Sequence, residues 1–311
     1  MRLTLLLSLS GALLASDPAP SLATREFTIK CEYTLRDVPD GAAVAEVWLP
    51  VPVSDRSQKI EHLAIDAPSV DFTCDPEYGN RFAYVRIEKP SSGMKIRLSV
   101  VAVRTETPSF EDTLVDAQRQ RFLAADRLGV IDDEVKETAA KVTAGLSSDA
   151  EKARAIYDHV VGVMEYDKQT PGWGNGDTKR ALQVCKGNCS DFHAMFISLC
   201  RASGIPARFH YGMAIPKDAP QGEPVAHCWA MFYADGRWVP VDCSEARKHP
   251  EQREYFFGHL DENRIVFTMG RDITLTPHQA GGPLNFIIHP YVEVDGKPGT
   301  MEHTYRYGPA Q

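Results

Sequence analysis

The hydrophobic period of this chain changes once, near Pro108, and nothing else in the sequence limits its fold as strongly. Before that point apolar residues recur at every second position. Phe27, Ile29, Cys31, Tyr33 and Leu35 alternate with polar neighbours, the mark of a half-buried strand. Residues 44–49, ended by Pro50 and Pro52, read as a second strand. Residues 82–87 and 94–103 read as two more, joined by a turn that holds Pro90 and Gly93. Short strands separated by turn signals predict an antiparallel β-sandwich of immunoglobulin-like size over 24–107.

After Pro108 the period becomes helical. Residues 114–128 and 133–144 read as helices, and Ser148 or Asp149 caps a third with the apolar stripe Ile156, Val160, Val163 and Met164. A glycine-rich loop with Trp173 spans 170–177. A helix over 189–203 is stopped by Gly204 and Pro206, and strands resume at 208–215, 226–233 and 238–243. Helices ahead of strands predict an α+β domain over 146–311, preceded by a helical connector over 108–145. A length of 311 residues fits two such domains.

Composition narrows the function classes. Hydrophobic residues at 43% and charged residues at 24% argue against disorder and fibrous repeats. A net charge of -8 without a long basic run argues against a nucleic-acid partner. Seven cysteines are too few for a disulfide scaffold in a chain this long. At the start, Arg2 precedes an apolar stretch over 3–14 and then small residues up to Ala23. That stretch is too short to span a bilayer and reads as a signal peptide over 1–23, which predicts export to a periplasm or beyond the cell without a membrane span.

The most informative stretch is Gly187-Asn188-Cys189-Ser190-Asp191-Phe192. Gly187 permits a tight approach, and Asn188 is a good N-cap that puts Cys189 in the first helical turn. The helix dipole there favours a thiolate, the nucleophile of acyl transfer. Downstream, Ala234-Asp235-Gly236-Arg237 is a two-residue hairpin signal. Ala234 then faces Arg237 and Trp229 faces Asp242, so His227 and Asp242 lie diagonally on one sheet face, within side-chain reach. Cys189, His227 and Asp242 would supply nucleophile, base and orienting carboxylate. The Cys189 backbone N–H is one oxyanion donor, with Trp173 or Gln183 as candidates for a second. The same register sets Cys228 opposite Cys243, on the face away from the site, as a disulfide or as two packed thiols.

In these residues the chain resembles the transglutaminase-like superfamily of cysteine enzymes, whose core is papain-like. The resemblance runs from about 150 to 245 and includes the Cys189 motif, 201–208 after the helix, His227-Cys228-Trp229, and Trp238 through Asp242. It implies that Cys189, His227 and Asp242 form a catalytic triad. Bacterial members often carry an N-terminal β domain, which fits 24–107. Two positions depart from the pattern: Met231 replaces a common acidic residue, and Cys243-Ser244 follows the aspartate in place of Pro-Thr or Pro-Ser.

The spacing of Cys185, Cys189 and His193 raises a metal site, but no C-x2-C pair accompanies it, so neither metal nor cofactor is expected. The sequence thus predicts acyl transfer on a peptide or protein substrate, with amide hydrolysis favoured. A protein-glutamine transglutaminase and a non-catalytic binding module are the alternatives. Oligomeric state is not legible.

Overall fold

The computed structural model describes residues 21–310, so the signal peptide reading lies almost wholly outside the described residues. Six strands come first: β1 (Thr24–Arg36), β2 (Val44–Val51), β3 (Gln58–Asp66), β4 (Asp71–Cys74), β5 (Arg81–Glu88) and β6 (Lys95–Thr105). They divide between two antiparallel sheets that face each other. The alternating residues Phe27, Ile29, Cys31, Tyr33 and Leu35 of β1 are all buried in the shared core, against Ala45, Val47, Leu49, Ala83 and Val85 of the opposite sheet. Each large apolar side chain buried this way contributes about 1.5–3 kcal/mol. β2 is buried on both faces, because Trp48 packs outward against Ile273, Leu275 and Ile287. That is why its sequence shows a run and not an alternation. β3 and β4, which the sequence did not reveal, are edge strands with largely exposed polar faces, and β3 carries a bulge at Ile60/His62.

Two short strands, β7 (Thr107–Pro108) and β8 (Phe110–Glu111), lead into α1 (Asp116–Leu123), α2 (Asp133–Val142) and α3 (Asp149–Val163). Ser148 and Glu151 form a capping box at the start of α3. α1 is shorter than the sequence suggests. The guanidinium of Arg201 donates to the Ala124 carbonyl at 2.7 Å and to the buried Asp126 carboxylate at 2.6 Å, and Ala124 is extended. Then follow β9 (Glu165–Tyr166), α4 (Thr178–Val184), β10 (Lys186–Gly187) and α5 (Cys189–Ala202). α4 escaped the sequence reading because it has only seven residues.

A third sheet covers α5. Its main strands are β11 (Ala207–Ala214), β12 (Val225–Ala234) and β13 (Arg237–Val241); α6 (Cys243–Lys248), β14 (His259–Leu260) and β15 (Arg264–Met269) follow, and the sheet order is β15-β11-β12-β13-β8. Every residue of α5 from Cys189 to Arg201 is buried, since α2, α3, α4 and the sheet surround it. Cys228, Ala230, Phe232 and Ala234 of β12 face α5. Trp229 and Met231 face the other way, into a cluster with Phe122, Trp238 and Leu260.

The last strands, β16 (Tyr291–Val294), β17 (Lys297–Pro298) and β18 (Thr300–Gly308), return to the beginning of the chain. β16 pairs with β2, and β18 pairs with β1 over nine residues. The sequence reading grouped 291–308 with 146–311; strand pairing puts them in the sandwich sheets. The polar, exposed run of β18 gave no core signal. Among the described residues no helix is long and apolar enough to cross a membrane.

Candidate active site

Glycine and capping chemistry set the nucleophile helix. A Cβ on Gly187 would lie 2.5 Å from Asp191 Cβ, so only glycine fits there. The Asn188 side chain accepts from the Ser190 N–H at 2.9 Å, and Asp191 Oδ2 accepts from the Asn188 N–H at 2.9 Å, closing a capping box. The same carboxylate takes the Gly174 N–H at 2.7 Å and the Gly176 N–H at 3.1 Å. It thereby pins the glycine-rich loop across the start of α5. A second clamp comes from Arg271 and Asn285, which both donate to the Asn175 carbonyl. Trp173, in this loop, and Gln183, on α4, are both exposed.

The hairpin carries the other two groups. Asp235 and Gly236 have φ of 52° and 76°, and the ladder runs from Ala234–Arg237 to Ala230–Val241, the register of a two-residue turn. Beyond Val241 the chain turns into α6, with Asp242 as N-cap. His227 Nε2–H donates to Asp242 Oδ2 at 2.7 Å, which leaves Nδ1 for the Cys189 thiol, whose charge acts on the ring. All three residues are at most 4% exposed. The structure thus brings Cys189, His227 and Asp242 together.

Asp242 is fully subscribed. Oδ1 accepts from Ser244 Oγ and from the Glu245 N–H, each at 3.0 Å. Oδ2 accepts from His227 and, at 3.0 Å, from Nη1 of the buried Arg264. Arg264 also pairs with Asp261 and lies 5.1 Å from the Trp229 ring. Gly212, opposite His227 in the sheet, lets β15 come this close: a Cβ there would lie 2.9 Å from the Ile265 carbonyl carbon. Sequence reasoning missed Arg264, because a lone arginine at a strand start carries no pattern.

These contacts set the charges. The Cys228 hydrogen bond is the largest influence on Cys189; with the His227 bond and charge it outweighs burial and holds the thiol well below its ordinary range. Burial pushes His227 down, but the charge and hydrogen bond of Asp242, with help from Cys189, lift it to about 10. Burial pushes Asp242 up, and His227 and Arg264 overcome it, so the carboxylate stays ionised. The site therefore favours a thiolate–imidazolium pair, which titrates as a unit.

His193 braces the pair. Its Nδ1 lies 2.8 Å from the Cys189 carbonyl, and its Nε2 accepts from the Cys243 N–H at 3.1 Å. Burial keeps the ring neutral, so Nδ1–H donates and helix and hairpin end are tied together. Cys228 corrects an expectation. Its sulfur does not point away from the site: it lies 3.5 Å from His193 Nδ1 and 3.9 Å from Ser190 Oγ, and its thiol neighbours that of Cys189. α5 packs on that face of β12, so the strand's even positions meet the nucleophile helix. Cys243 has left the ladder for α6, and both cysteines are free thiols. Trp229 is a buried core residue that packs 6.2 Å from His227. Cys185 caps α4 in the left-handed region, and among the described residues no cluster of three His, Cys, Asp or Glu side chains is grouped to hold a metal.

A helix-borne thiol on an antiparallel sheet, met by a histidine–aspartate hairpin, defines the papain-like class of fold. Residues 136–243 match the model of the transglutaminase-like superfamily. The chain is 27% identical to an uncharacterized protein of Haemophilus influenzae in an alignment that covers 84% of each chain. A structure solved as a "putative cysteine protease" of Cytophaga hutchinsonii shares the fold, with a TM-score of 0.62 and 17% identity over 92% of this chain and 91% of that one.

Proposed function

We propose that this protein is an exported cysteine amidase that cleaves peptide amide bonds through a thioester on Cys189. The observation that carries the reading is the buried chain Cys189–His227–Asp242, with Nε2 of His227 2.7 Å from the aspartate. The Cys189 thiolate attacks the amide carbonyl, and the oxyanion takes the backbone N–H of Cys189. The His227 imidazolium gives its proton to the departing amine as the C–N bond breaks. Neutral His227 then takes a proton from water, whose oxygen attacks the thioester, and the carboxylic acid leaves with the thiolate restored. Asp242 holds the imidazole tautomer throughout.

Export rests on the leader over 1–23, and the β-sandwich supports the core it packs against. The test is turnover of a peptide library by the purified protein, with and without an added primary amine. Hydrolysis products that are unchanged by the amine support the amidase; isopeptide products would move the chain to the transglutaminases. Absence of any adduct or product would leave a binding module.

A further inference from the structure

We infer that Arg264 is a fourth, positioning residue of the site, one that sets the basicity of His227 by sharing the Asp242 oxygen that His227 uses. The inference rests on the triad reading above.

The geometry is specific. Arg264 Nη1 and His227 Nε2 converge on one atom, Asp242 Oδ2, at 3.0 and 2.7 Å. The neutral donors Ser244 and Glu245 N–H take the other oxygen. A carboxylate oxygen that already faces a fixed cation attracts an imidazolium less than a free one would. Arg264 is itself held: Nη2 and Nε donate to Asp261, Trp229 lies beside the guanidinium, and only 2% of the residue is exposed. It can neither rotate away nor be neutralised, since an arginine does not lose its proton in a protein.

Other charged and titratable groups surround the pair. From α5 come Cys189 and the neutral His193, and from β12 the un-ionised Cys228. α6 supplies Cys243, Glu245 and Lys248, α3 supplies Tyr157, and Tyr255 approaches Arg264. Arg104 of β6 adds a more distant positive charge. Of these, Arg264 is the cation hydrogen-bonded to the oxygen His227 uses. Without it, Asp242 would hold the proton on His227 more tightly. The imidazolium would then be a poorer acid toward the leaving amine.

The experiment is alkylation of Cys189 by iodoacetate across pH 4–11. The reagent is an anion, so the imidazolium attracts it; the rate rises as Cys189 ionises and falls as His227 loses its proton. Arg264→Gln keeps a hydrogen-bond donor but removes the charge, and should raise the alkaline limb by about one pH unit. Arg264→Lys keeps the charge and should leave that limb near its wild-type position. Asp261→Asn frees Arg264 toward Asp242 and removes a nearby negative charge, so it should lower the limb. That opposite sign keeps the test informative if Arg264→Gln does not fold. Folded variants with an unmoved alkaline limb would overturn the inference. A wild-type profile with no low-pH reactivity would instead remove the triad reading, and this inference would fall with it.

Discussion

Asp191 stands so close to Gly187 that no side chain fits between them, and from there its carboxylate gathers the N–H groups of Asn188, Gly174 and Gly176. One acidic residue thus closes the cap of the nucleophile helix and fastens the loop above it. Gly187→Ala should displace this carboxylate and cost about 1–3 kcal/mol through overpacking. Asp191→Asn should cost a similar amount, because its amide nitrogen meets N–H groups as a donor. Thermal unfolding measures both, and protease cleavage within 170–177 should speed up in each variant.

The Cys189 thiol owes its acidity first to Cys228. Cys228→Ala removes that hydrogen bond, so the thiolate is less favoured and the acid limb of alkylation should move to higher pH. Cys243→Ala, from a thiol with no such bond, should leave the limb in place. Rates of alkylation against pH in the two variants decide this.

The helix start and the hairpin were legible because each is written in local chemistry. Asn188 as cap and Asp235-Gly236 as turn fixed where Cys189, His227 and Asp242 would lie. What stayed hidden depends on contacts distant in sequence. Arg264 reaches Asp242 only because Gly212 lets β15 close in, and neither residue announces this alone. The side of Cys228 was misjudged because strand alternation tells faces apart without telling which face a helix covers. β18 was missed as part of the sandwich because its pairing partner lies at the other end of the chain.

Gly212→Ala tests that dependence. The new methyl would meet the Ile265 carbonyl and push β15, and with it Arg264, away from Asp242. Stability should fall by about 1–3 kcal/mol, as expected for overpacking. Turnover should fall more than thermal stability alone explains; wild-type turnover per folded molecule would contradict the account.

Asp242→Asn should act on His227 with a definite sign. In the folded protein His227 is raised to about 10, against an ordinary value near 6.5. Its proton therefore stabilises the fold fully below pH 6.5, and that contribution is lost as pH rises through 10. Without the aspartate charge the His227 value falls back toward its ordinary one, so the alkaline loss should be smaller and end at lower pH. Chemical denaturation at pH 6 and pH 9.5 checks this: the variant should lose less stability between the two than the wild type does.

The central claim is that Cys189 forms the covalent bond to substrate. Intact-mass analysis after brief exposure to an activated peptide ester, with turnover followed in parallel, tests it most directly. The account predicts one acyl adduct on wild type, mapped to Cys189, and a folded Cys189→Ala protein with neither adduct nor turnover. Turnover by Cys189→Ala at a rate near wild type, or an adduct on another residue, would contradict it.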